Sequence, residues 1–139
     1  MSTSLAVLKR FYAAEAEYLT SGGPGKADFG GMAKCLDPEV TLHQAASLPY
    51  GGTWRGHAGM ERFMATMSEL WASLEFVDQR FATEGDTVVA YNRAIMCSRA
   101  TGRSLDASIV QWITIKDGLV AEFRPYYLDT AEVIATLTP

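Results

Sequence analysis

The sequence predicts one α+β domain: a cone-shaped, curved antiparallel (mixed) sheet wrapped by three helices of the N-terminal half plus a short C-terminal helix, enclosing a pocket. Three observations predict it. Helical apolar spacing is confined to the first half and the final segment. The stretch between them reads as strands separated by the turns Glu84-Gly-Asp86, Ala100-Thr-Gly-Arg103 and Lys116-Asp-Gly118. Helices followed by an antiparallel meander are the α+β pattern. The 139 residues, 48% apolar and 20% charged, suffice for one packed core and argue against disorder.

The elements follow in order. Leu5, Leu8, Phe11, Tyr12, Glu15 and Leu19 recur at helical spacing, and Thr3 or Ser4 can cap the start. Residues 20–26, rich in glycine and holding a proline, break that helix. We read this loop as a mobile lid pivoting on Gly22, Gly23 and Gly25. Asp28 can cap a brief second helix running to about Leu36, weakened by Gly30 and Gly31. Asp37-Pro38 reads as a turn, residues 40–44 as a strand, Pro49-Tyr-Gly-Gly52 as a turn and residues 53–55 as a short extended piece.

A third helix follows Gly56, with Met60, Phe63, Met64, Met67 and Leu70 or Trp71 on one face, and ends at Ser73 or Leu74. Strands are expected over 76–83, 87–99, 105–115 and 119–127. Asp129-Thr-Ala-Glu132 is a capping-box pattern that opens a helix over Thr130–Leu137.

Charge narrows the function. A net charge of -4 argues against nucleic acid, which needs a basic surface, and against an anionic membrane. No run approaches a membrane span, and the N-terminus does not read as a signal peptide. Cys35 and Cys97 form no metal-type cluster and read as reduced thiols, so a cytoplasmic setting is expected. Two histidines without a carboxylate cluster predict no metal. The absence of glycine-rich phosphate motifs predicts no nucleotide cofactor.

Local residues carry a resemblance as well. Arg10-Phe-Tyr-Ala-Ala14, Leu36-Asp-Pro-Glu-Val-Thr-Leu-His43, Tyr50-Gly-Gly-Thr-Trp-Arg-Gly56, Ala100-Thr-Gly-Arg103, Ile115-Lys-Asp-Gly118 and Arg124-Pro-Tyr-Tyr-Leu-Asp129 are its motifs. Over nearly its whole length the chain resembles the SnoaL-like branch of the nuclear-transport-factor-2-like superfamily. Relatives include ketosteroid isomerase, SnoaL-type polyketide cyclases and limonene epoxide hydrolase. The resemblance is specific for fold and weak for function, because this fold hosts many activities.

Strand alternation sorts the faces. With Thr101-Gly102 at the hairpin tip, Gln111 would lie opposite Asn92. The resemblance places Asn92, Ala94, Met96, Ser98, Ala107, Ile109, Gln111 and Ile113 inside the cone. It adds Phe123, Pro125 and Tyr127 from the last strand, and Thr41 and His43 from the first.

The resemblance puts His43 where the isomerase has its general-base aspartate, Gln111 where it has a protonated aspartate, and Phe11 where it has its oxyanion tyrosine. All three chemical positions are therefore changed, although an imidazole can still move a proton near neutral pH. The final aspartate of the epoxide hydrolase set would fall near Pro125, which cannot serve. Glu15, beside the apolar stripe of helix one, is a second proton-transfer candidate. Asp129, at the pocket mouth, is either a base or a helix cap. His43, Gln111 and Asn92 each have a plain structural alternative as hydrogen-bonded core groups. Phe11, Asn92, Met96, Ile109, Met64, Trp54 and Tyr127 are the expected ligand-lining set, and His57 is expected at the surface.

Two functions follow as expectations. One is a cofactor-independent enzyme moving protons on a hydrophobic carbonyl compound, as an isomerase, cyclase or dehydratase. The other is a non-catalytic dimeric protein that binds a hydrophobic metabolite. Tyr91, Arg93, Ile95, Val110 and Trp112, on the outer sheet face, are the expected homodimer surface.

Overall fold

The computed structural model describes residues 3–139. Helix α1 (Ser4–Thr20) begins with the Thr3 side chain accepting from the Ala6 N–H and buries Val7, Leu8, Phe11 and Tyr18. It ends in a Schellman closure: Gly23 N–H donates to Tyr18 O at 2.9 Å and Gly22 N–H to Leu19 O at 3.3 Å. Gly22 sits at φ +112°, which a side chain would strain. Lys26 and Ala27 N–H groups then return to Gly23 O. The expected lid is thus a hydrogen-bonded turn.

Helix α2 (Gly30–Ala33) is shorter than expected. Asp28 does not cap it: Phe29 holds the N-cap position and makes no side-chain bond there. Strand β1 (Leu36–Gln44) takes over immediately. The Asp37-Pro38 turn is therefore absorbed into the strand as an irregularity, with Asp37 Oδ1 accepting from Glu39 N–H at 2.8 Å. Strand β2 (Gly52–Arg55) returns antiparallel to β1, with His43 opposite Thr53.

Helix α3 (Gly56–Leu70) stops three or four residues earlier than expected, and β3 (Trp71–Glu84) starts without a loop. The junction is tied by Arg99, whose backbone N–H donates to Leu70 O and whose guanidinium donates to Ser68 O. Trp71 is thereby the buried first residue of β3 instead of part of the apolar face of the helix. His57 is half-buried rather than at the surface: its Nε2 lies 3.0 Å from Leu36 O, tying α3 to β1.

Strands β4 (Thr87–Ser98), β5 (Ser104–Lys116) and β6 (Leu119–Tyr127) form the meander. The sheet order is β2-β1-β6-β5-β4-β3, with β1 parallel to β6 and every other pair antiparallel. Helix α4 (Thr130–Leu137) closes one end, held by Thr101 Oγ1 donating to Thr136 O and by the Arg103 guanidinium on Ala135 O and Thr138 O.

Burial alternates strictly along β4, and Asn92, Ala94, Met96 and Ser98 face the helices as expected. The hairpin register is two residues away from expectation: Asn92 pairs with Ile109, and Gln111 with Ala90. An even-numbered slip preserves the face and changes only the neighbour.

The core divides in two. One cluster joins Leu8, Phe11, Met64, Val88, Ala90, Ile113 and Phe123. The other joins Tyr50, Trp71, Ala94, Met96, Ile109, Val133 and Leu137. Trp54 and Phe63 pack against both. Fully burying one such side chain is worth about 1.5–3 kcal/mol, so these clusters, not polar contacts, hold the layers together.

Candidate functional site

A polar belt runs between the two apolar clusters on the helix-facing side of the sheet. In β4, Asn92 separates Ala90 of one cluster from Ala94 of the other; in β5, Gln111 separates Ile113 from Ile109. In β1, Gln44 follows the buried Val40 and Leu42 on the same face. Helix α1 adds Tyr12 and Glu15 from above.

These groups are short of partners. Tyr12 Oη, Gln44 Oε1, Trp71 Nε1, Asn92 Nδ2 and Gln111 Oε1 are buried and make no hydrogen bond of normal geometry. Leaving such an atom unpaired costs about 1–3 kcal/mol, and buried polar atoms in native proteins are almost always satisfied. Three of them nonetheless have a polar neighbour: the Asn92 amide lies beside the Tyr12 phenol, and the Trp71 indole beside the Tyr50 hydroxyl. Asn92 is fixed by its other amide atom: Gln79 Nε2 donates to Asn92 Oδ1 at 2.9 Å. It does not pair with Gln111.

Glu15 is half-buried as a residue, and burial of its carboxyl pushes the pKa up to about 7. No hydrogen bond or ion pair offsets that cost among the described residues. The neighbouring Tyr12 phenol is pushed up to about 12, chiefly by burial and further by the Glu15 charge, against an opposing pull from the Asn92 amide. Tyr12 is therefore a neutral donor at every physiological pH, while Glu15 changes charge near neutrality.

His43 corrects a central expectation. It does not face the interior. Leu42 and Gln44 do, and the parallel pairing of Leu42 with Phe123 fixes that phase, leaving Thr41 and His43 on the outer face. There His43 Nε2 lies 3.1 Å from Glu122 Oε2 and Nδ1 lies 3.2 Å from Thr53 Oγ1. Glu122 also accepts two bonds from Arg124, at 3.1 and 3.2 Å. Burial works to raise the Glu122 pKa, but the bonds from Arg124 and His43 outweigh it and hold the carboxyl below its ordinary value. A Glu15–His43 couple is excluded, and so is an approach of His43 to Gln111. His43 instead borders a cavity of about 380 Å³ between the ends of β1 and β6.

Asp129 is the N-cap of α4: its Oδ1 accepts from Glu132 N–H at 3.1 Å. Phe11 packs on Phe123 with ring centroids 5.2 Å apart. Met64 and Met96 are core residues of the first and second clusters respectively. Trp54 Nε1 donates to Tyr50 O at 3.1 Å. Tyr127 does point inward, where Tyr50 Oη donates to its hydroxyl at 2.9 Å. Burial pushes the Tyr127 pKa well up.

Tyr12, Gln44, Gln79, Tyr50 and Trp71 were not singled out as site residues from the sequence. Gln44 had a signal, since it continues the apolar alternation of Val40 and Leu42. Tyr50 is set by a close turn: a Cβ at Gly51 would lie 2.4 Å from Ala45 O, so only glycine lets the loop fold in.

Strand β3 leaves part of the helix side open to solvent. Leu74 pairs with Met96 and Phe76 with Ala94, so both point to the helix side, yet they are 40% and 39% exposed. Gln79, the exposed partner of buried Asn92, lies on the same strand. The outer face carries Tyr91, Arg93, Ile95, Val110 and Trp112 as expected, with Arg93 paired to Asp106 at 2.7 Å. Among the described residues no helix is long and apolar enough to cross a membrane, and no group of three or more potential ligands could hold a metal.

Known proteins match this architecture. An NTF2-like protein from Burkholderia xenovorans is 23% identical, with 99% of each chain covered and a TM-score of 0.86. TerC, crystallised with polyporic acid, is 20% identical over 98% of each chain, with a TM-score of 0.80. A candidate polyketide cyclase from Pseudomonas putida is 16% identical over 99% of this chain and 100% of its own, with a TM-score of 0.77. At these identities the likeness is one of fold. No curated protein matches the chain. The SnoaL-like domain model matches residues 8–123. This chain belongs to the SnoaL-like domain family.

Proposed function

We propose that the protein is a cofactor-independent proton-transfer enzyme acting on a small, largely apolar carbonyl compound, in the manner of an isomerase, cyclase or dehydratase. The observation that carries this reading is Glu15: a half-buried carboxyl with no hydrogen bond or ion pair among the described residues, pushed up to about 7 by burial, beside the Tyr12 phenol. A base poised near the working pH is the most effective proton shuttle. The Glu15 carboxylate takes a proton from the carbon next to the carbonyl. The electron pair of that C–H bond moves onto the carbonyl oxygen, where Tyr12 Oη and Asn92 Nδ2 donate to the developing enolate. Glu15 then returns the proton to the same or a conjugated carbon. Gln111, on the same face, adds a hydrogen-bonding amide to hold a second polar atom.

The test is exchange of the α-protons of 2-tetralone in deuterated buffer at pH 8, followed by proton NMR. The native protein should accelerate exchange over buffer, with a rate that rises with pH through about 7. Glu15→Gln should lower the acceleration by about a hundredfold or more while leaving the circular dichroism unchanged. Equal rates in the variant and the native protein would remove Glu15 as the base. Saturable binding of 2-tetralone without exchange would assign the chain to the binding class instead.

A further inference from the structure

The cavity of about 380 Å³ lies apart from the Glu15 end of the belt, where β1 and β6 separate. Their last recorded pairing is Leu42 with Phe123. Two residues further along β6 stands Pro125, which has no N–H to continue a ladder. The strands therefore fork, and the gap has a volume typical of small-molecule sites.

Its lining is chemically uneven. Gln44, only 9% exposed, lines it from the interior side. Arg124 reaches it from the outer side. Arg124 uses Nε and one terminal nitrogen on Glu122, and a guanidinium has five N–H donors, so others remain for a ligand. Pro125, Tyr126 and Tyr127 form an apolar wall between these two ends. Glu122 is already shared between Arg124 and His43, which offsets its repulsion of an incoming anion.

We propose that this fork binds a small aromatic hydroxy acid, its carboxylate at Arg124, its ring against Pro125 and the tyrosines, and its hydroxyl at Gln44. A carboxylate is the planar partner that a guanidinium pairs with best. A hydroxyl both donates and accepts, so it satisfies the Gln44 amide in either orientation.

The experiment titrates the ¹⁵N-labelled protein with 4-hydroxybenzoate, benzoate and 4-methylphenol. 4-Hydroxybenzoate should shift the amide signals of residues 43–45 and 124–127 and bind about fivefold tighter than benzoate, the worth of one hydrogen bond to the Gln44 amide. Gln44→Leu should erase that ratio and leave benzoate binding intact. Arg124→Gln, a change at an exposed side chain, should weaken both acids and spare 4-methylphenol. Equal affinity of the two acids, shifts elsewhere on the protein, unchanged ratios in Gln44→Leu, or no binding at millimolar concentration would each overturn the proposal.

Discussion

Two glutamates on opposite faces of the sheet are in contrary states. Glu122, on the outer face, is held by Arg124 and His43 and sits below its ordinary pKa. Glu15, on the helix side, has burial without compensation and sits near 7. The same side chain is thus a settled ion-pair member in one place and a reactive acid in the other. The difference lies in what surrounds each carboxyl. A satisfied polar group stabilises the resting structure, and an unsatisfied one keeps its interactions available for something that arrives later. The same contrast separates His43, whose two nitrogens are both occupied, from Asn92, whose Nδ2 is not.

The largest effect that sharpens this comparison is on stability. A carboxyl whose folded pKa lies above its unfolded value stabilises the fold fully below about 4.5, and that contribution is lost as pH rises through about 7. Replacing Glu15 by glutamine removes the ionisation that costs the native state. Glu15→Gln should therefore be more stable than the native protein at pH 8, by up to about 3 kcal/mol. At pH 4 the two should differ little. Urea unfolding at both pH values checks this, and an equal difference at both would contradict it. The gain in stability with loss of exchange is the trade expected of a functional group.

The smaller effect is at His43. Its hydrogen-bond contact with Glu122 is partly solvated, with about a quarter of each side chain exposed. Pairs of this kind are worth about 0.2–1 kcal/mol. His43→Ala should lower stability by no more than that and leave 2-tetralone exchange unchanged. A collapse of exchange in this variant would break the distinction between the two faces.

The sheet, its turns and the faces of β4, β5 and the end of β6 were legible because alternation on β4, β5 and from Phe123 onward on β6 is regular and each turn carries glycine at the right place. The site was less so, for local reasons. On β1 the family motif favoured His43 as an inward group, while Val40 and Leu42 already indicated the opposite phase. The irregularity around Asp37 and Pro38 hid the start of that strand. The bulge between Phe76 and Asp78 decides which β3 residue meets Asn92, and no turn residue announces it. The bond from Gln79 that fixes Asn92 was therefore out of reach. The junction of α3 and β3 depends on Arg99, distant in sequence, capping Ser68. Glu15 and Asp129 were both visible as candidates; only the packing separates an enclosed carboxyl from a cap.

The most direct test of the central claim is the titration of the Glu15 side-chain carboxyl, followed by its ¹³C chemical shift in selectively labelled protein. A midpoint of about 7 is the result expected from the enclosure of this group. A midpoint in the ordinary glutamate range, near 4.3, would show that water or an unseen partner reaches the carboxyl, and Glu15 would lose its claim as the proton carrier.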